Sequence, residues 1–138
     1  MEQINALWQY LSGFALWQEK TPVVDTTPAA PDGCGLFPRG VEVLERKLDV
    51  AGDERLRLRQ SFLLRRRAAR TAQAAAWLME LQSWVLTNPP RHLEPVFGTD
   101  LQLRMEKGRL TRAEQPGTAT YEGIIIMEYT KENCVNEN

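Results

Sequence analysis

Apolar residues recur at helical spacing in two stretches of this chain and alternate with polar ones in four others. From Thr71 to Leu86, TAQAAAWLMELQSWVL, the residues Ala74, Trp77, Leu78, Leu81, Trp84 and Val85 share one helical face and carry two indoles and two leucines toward a core. Asn88-Pro89-Pro90 ends that helix, because proline cannot donate to the helical ladder and pushes the residue before it toward extended backbone. A second helix is expected over residues 1–17, with Ile4, Leu7, Trp8 and Leu11 as its apolar stripe and Glu2, Gln3, Gln9 and Tyr10 as its polar face. It can pack on the chain's own sheet or on a neighbouring copy; in the second case Trp8 is a subunit-packing residue.

Residues 18–40 hold Pro22, Pro28, Pro31 and Pro38 with Gly33, Gly35 and Gly40, a composition that forbids a continuous helix and weakens a central strand. They read as an extended arm. The αβ core is expected over 41–130. It starts with a hairpin from Val41 to Arg67 that turns at Ala51-Gly52-Asp53. Pairing Val50 with Leu56 sets Leu48 against Leu58 and Leu44 against Phe62, placing these six apolar residues on one face and Asp49 against Arg57 on the other. That register leaves Arg46 opposite Gln60 on the apolar face, so a bulge or an open end is expected there.

Leu101, Leu103 and Met105 alternate with Gln102, Arg104 and Glu106 as a third strand, which resumes through Arg109–Arg112 before a turn at Glu114-Gln115-Pro116-Gly117. The fourth strand, YEGIIIMEY from Tyr121 to Tyr129, has Tyr121, Ile125, Met127 and Tyr129 on one face and Ile124 and Ile126 on the other. Apolar residues on both faces call for cover on both sides, so Ile124 and Ile126 are candidate subunit-packing residues. Residues 131–138 read as a polar, frayed tail. The sum is a single α+β domain: an antiparallel sheet of about four strands, in two hairpin-like units, packed against a central amphipathic helix, plus an N-terminal helix.

At 138 residues one core is feasible without disulfides or metals. No apolar run approaches the ~20 residues of a membrane span, and the N-terminus lacks the pattern of a secretory signal, so no membrane contact and cytoplasmic synthesis are expected. Charge changes the picture more than composition does. Residues 55–70 contain Arg55, Arg57, Arg59, Arg65, Arg66, Arg67 and Arg70 and no acid, although the whole chain carries a net charge of only −1. On a strand Arg57, Arg59, Arg65 and Arg67 share the face turned away from the helix. With Arg55 they form a candidate interface, either solvated and partly paired with Glu45 and Asp49 or meeting an acidic partner or nucleic acid.

Catalytic chemistry has no foothold in the pattern. There is no GxGxxG, no GxxxxGK[ST], no paired histidines and no nucleophile-elbow serine, so no catalytic residue, cofactor or metal is assigned. Cys34, read in a loop, and Cys134, in the tail, are expected as free thiols, and His92 as an exposed loop residue.

The run GVEVLERKLDVAGDERLRLRQSFLLRRR, the helix segment AAWLMELQSWV and the ending EKGRLTRAEQPGTATYEGIIIMEYTK resemble small proteins of prophages and contractile-tailed phages of Gram-positive bacteria, similar in layout to tail terminators or tail-completion proteins. The resemblance covers about Gly35 to Lys131. It implies a structural protein of the virion tail neck, assembled in the bacterial host cytoplasm as a homo-oligomeric ring, commonly a hexamer. Such a ring caps the tail tube and sheath proteins, offers the docking surface for the head-tail connector protein and makes at most non-specific contact with DNA in the channel. A connector or minor head protein from the same gene region is the alternative, and a nucleic-acid-binding regulator using the arginine stripe is a further one.

Overall fold

The computed structural model describes residues 2–14, 34–69, 72–115 and 118–133. In chain order these form α1 (Glu2–Leu11), β1 (Cys34–Leu48), β2 (Glu54–Ala69), α2 (Ala72–Thr87), β3 (Thr99–Gln115) and β4 (Thr118–Asn133), with a short 3-10 turn at Arg91–Leu93. All strand pairs are antiparallel and the spatial order is β1-β2-β4-β3. Two hairpins therefore meet along β2 and β4. The fold is α+β, a four-stranded sheet with the central helix and the N-terminal helix packed on one of its faces.

Strict alternation makes that face. Leu58, Phe62 and Leu64 on β2, Ile125, Met127 and Tyr129 on β4, and Leu103 and Met105 on β3 are buried beneath Trp77, Leu78, Leu81 and Val85 of α2 and Ile4, Leu7, Trp8 and Leu11 of α1. Each fully buried side chain of this size contributes roughly 1.5–3 kcal/mol relative to exposure. The two helices meet through aromatic rings: Tyr10 and Phe14 lie 5.0 Å and 5.9 Å from Trp84, and Phe14 lies edge-on to Trp77 at 6.0 Å. A polar relay fixes α1 over β2, with the Tyr129 hydroxyl donating to Gln60 Oε1 at 2.8 Å and the Gln60 amide donating to Gln3 Oε1 at 3.3 Å.

The hairpin register differs from the one that maximised apolar pairing. Leu56 lies opposite Arg46 rather than Val50, Leu58 opposite Val43 rather than Leu48, and Phe62 opposite Pro38 rather than Leu44. Asp49 decides it. Its Oδ1 accepts from the amides of Ala51 and Asp53, both at 2.9 Å, and its own amide donates to the Asp53 carbonyl at 3.0 Å. Gly52, at φ 87°, supplies the left-handed residue that this loop requires. The loop thus closes at Leu48 and Glu54, Asp49 is spent on the turn, and Arg57 faces Glu45. The irregularity foreseen at Arg46 occurs instead as two bulges, at Arg39 and at Leu44.

Other boundaries also move. Residues 34–40, read as part of the arm, belong to β1, with Leu36 fully buried and Cys34 opening a strand rather than lying in a loop. Lys131 to Asn133, read as tail, continue β4 as partners of Leu56, Arg55 and Glu54. Tyr10, placed on the polar face of its helix, is buried, because its hydroxyl donates to the Asn88 carbonyl at 2.6 Å. The helix foreseen to residue 17 ends at Leu11, where the Gly13 and Phe14 amides bond three residues back to the Tyr10 and Leu11 carbonyls in a turn; residues 15–17, the rest of the arm and the last residues of the tail lie outside the described residues.

Candidate functional site

The sheet face away from the helices is a charge mosaic. On β2 the odd positions Arg55, Arg57, Arg59 and Arg65 point outward together, and β4 brings Glu132, Thr130, Glu128 and Glu122 directly opposite them. Arg55 holds Glu132 at 2.8 Å, and Arg65 bonds Glu122 while its guanidinium lies 4.9 Å from the centre of the Phe37 ring. Arg59 reaches Glu128 at 3.6 Å and Glu42 at 3.9 Å, and Arg104 of β3 donates to the same Glu128 at 2.7 Å. Among the described residues Arg57 pairs with no carboxylate: it donates to the Asp100 carbonyl at 3.0 Å and Thr130 Oγ1 at 3.1 Å. Asp100 can present that carbonyl because it adopts φ 51°, at the break in pairing between Thr99 and Gln102.

The arginines thus lie on the expected face, but their partners come from β4 more than from the residues foreseen. Glu128 shows the electrostatic result. The Arg104 hydrogen bond lowers its pKa; partial burial opposes this and the nearby charges of Arg59, Arg104 and Arg57 reinforce it. Arg55, Arg59 and Arg65 are thus paired within the chain rather than presented as free cations. The side chain of Arg67 lies outside the described part.

The foreseen subunit-packing residues divide. Ile126 is buried within the chain on this outer face, between Ser61 and Arg104 in register, and Ile124 is half-buried, so neither is a bare apolar residue awaiting a neighbour. Trp8 is 1% exposed in the core beneath α1. In their place two other surfaces expose large apolar side chains. One is the distal hairpin, with Val41, Val43, Leu48 and Val50 at 57, 49, 68 and 110% exposure; the other is the outer side of α2, with Met79 and Leu86. A sequence signal for the second existed, since Ala72–Thr87 contains a single charged residue, Glu80, too few for a helix with one solvated side.

His92 is exposed in the turn after α2, its ring 5.9 Å from that of Tyr10. Among the described residues, no three of His, Cys, Asp and Glu come together as metal ligands would, and no helix is long and apolar enough to cross a membrane. What the geometry offers is surface. No protein-family model matches the chain, and no curated protein matches it.

Proposed function

We propose that this chain is a non-catalytic assembly subunit, a tail terminator of a contractile-tailed phage or phage-tail-like particle. It forms a closed ring, six copies being the expected number, that caps the tail tube and sheath in the neck and offers the surface to which the head connector docks. The observation that carries this reading is the distal β1–β2 hairpin, where every residue from Pro38 to Ala51 is exposed, five large aliphatic side chains, Val41, Val43, Leu44, Leu48 and Val50, among them. Exposed apolar rows on an edge strand are costly in a lone domain and are the surface from which an oligomer is built. The resemblance over about Gly35 to Lys131 supplies the kind of assembly.

The paired arginines weigh against the regulator. A duplex-binding surface gains affinity by placing free cations on phosphates, and here Arg55, Arg59 and Arg65 already hold carboxylates of the same chain. DNA threading the ring would meet a compensated face. The test is the mass of the full chain by light scattering across concentration, with tail-containing lysates probed for the same chain. A ring in solution, or a monomer recovered in ring form on tails, is the expected result; a chain that is monomeric throughout and absent from tails overturns the reading.

A further inference from the structure

The two helices cover only part of the sheet. Helix α2 lies over β3 and β4 and α1 lies over β2, while β1 from Pro38 onward is exposed. Val41 and Val43 stand opposite Gln60 and Leu58, whose side chains face the helical layer, and Leu48 stands opposite Glu54 on that same side. They form an apolar shelf level with the surface on which α1 sits.

The backbone restricts what can cover that shelf. Arg39 and Leu44 are the extra residues of the two bulges, Gly40 at φ 128° sharpens the first, and Pro38 lacks an N–H. Together they break the ladder that an added strand would need. A helix satisfies its own backbone and needs only side-chain contact, so a helix with an apolar, weakly charged face is the matching occupant. The chain carries one. Met79, Ser83 and Leu86 recur at i, i+4 and i+7 on the solvent side of α2, with Met79 and Leu86 exposed by 68% and 69%.

Charge completes the match. Glu80 is the only charge of α2, and Arg39 sits at the first bulge; among the described residues neither has an ion-pair partner. We propose that the outer face of α2 in one subunit covers the β1 shelf of the next, with Glu80 set against Arg39. This contact rests on the assembly reading and gives it a geometry. It joins two different surfaces, so each added subunit leaves one of each free until rotation closes a ring.

Arg39→Glu, Glu80→Arg and the double variant, in the full chain, test it by light scattering across concentration. Each single reversal should raise the concentration for half-assembly at least about fivefold, and the double variant should return it to within about twofold of wild type. Leu86→Gln, an exposed site where folding is undisturbed, should weaken assembly as well. If wild type assembles and both Leu86→Gln and the single reversals leave it unchanged, this interface is wrong while the assembly reading stands. Reversals that weaken assembly with no recovery in the double variant also overturn the Glu80–Arg39 match. Where wild type is monomeric in solution and a ring only on tail particles, the same variants are read by their incorporation into tails, with the same expected losses and recovery; a chain monomeric throughout and absent from tails overturns the contact and the assembly reading together.

Discussion

The Tyr10 hydroxyl donates to the carbonyl of Asn88 across 2.6 Å, joining the end of α1 to the residue that follows α2. Asn88 precedes Pro89-Pro90, so its carbonyl is one of the helix-end acceptors that no downstream amide of the helix can satisfy. Burial pushes the Tyr10 phenol up to about 12.

Tyr10→Phe should therefore cost about 1 kcal/mol at neutral pH, the net worth of a hydrogen bond together with a stranded acceptor. The raised pKa also sets a pH window. Below the unfolded value of 10 the contribution is complete, and it is lost as pH rises from 10 toward about 12, because the unfolded chain releases the proton first. Urea midpoints from pH 8 to 11.5 should fall for wild type and fall less steeply for Tyr10→Phe, with Tyr129, also raised by burial, supplying what remains.

Glu128 titrates with the opposite sign. Its folded pKa is lowered, so the stabilisation is present above its ordinary value of 4.5 and is lost as pH falls through the folded value. Glu128→Gln should be less stable than wild type at pH 7, and the gap should close below pH 4.5. A gap that is constant from pH 7 to 3 would show that the carboxylate charge is not what Arg104 and Arg59 recognise.

Two glycines should differ in how they tolerate a methyl group. A Cβ at Gly98 would stand 2.6 Å from the Thr130 carbonyl oxygen and 2.7 Å from the Tyr129 ring, and the backbone atom cannot yield. At Gly123 the closest obstacle is the terminal methyl of Met105, which can turn away. Gly98→Ala should cost roughly 1–3 kcal/mol and Gly123→Ala less, measured by chemical denaturation.

The turn predicts a third contrast. Asp49→Ala removes the acceptor shared by the Ala51 and Asp53 amides and should cost about 1 kcal/mol, whereas Asp49→Asn keeps an oxygen in place and should cost less.

Duplex DNA should not be retained by the protein even at about 50 mM salt, where phosphate contacts are strongest. Retention at that salt, lost steeply as salt rises, would restore the regulator.

Much of this architecture was legible in the order of residues, since the alternation from Leu56 to Leu64 and the spacing from Trp77 to Val85 each reflect one covered face. The hairpin register was not, because apolar matching favoured Val50 opposite Leu56 while a single carboxylate, Asp49, fixed the turn. The arginine face was legible in direction but not in charge: its neutralisers, Glu122, Glu128 and Glu132, lie more than fifty residues downstream and are invisible to any local window. Of the two covers open to Trp8, the chain's own core is the one observed; the sequence leaves that choice open, since an amphipathic helix declares that it will be covered without saying by which chain. Leu44, Leu48 and Val50, expected on the apolar face, are exposed instead, because nothing in a strand pattern reveals where the helices above it stop.

The pairing of β2 with β4 also has a consequence for synthesis. Translation delivers the arginines of β2 long before the carboxylates that neutralise them, because β4 is the last strand made yet inserts between β2 and β3. Until β4 is made, Arg55 and Arg65 lack the carboxylates that hold them in the folded sheet, and nothing joins β3 to β2. Closure of the sheet is thereby timed to the synthesis of β4, whatever the first helix does earlier.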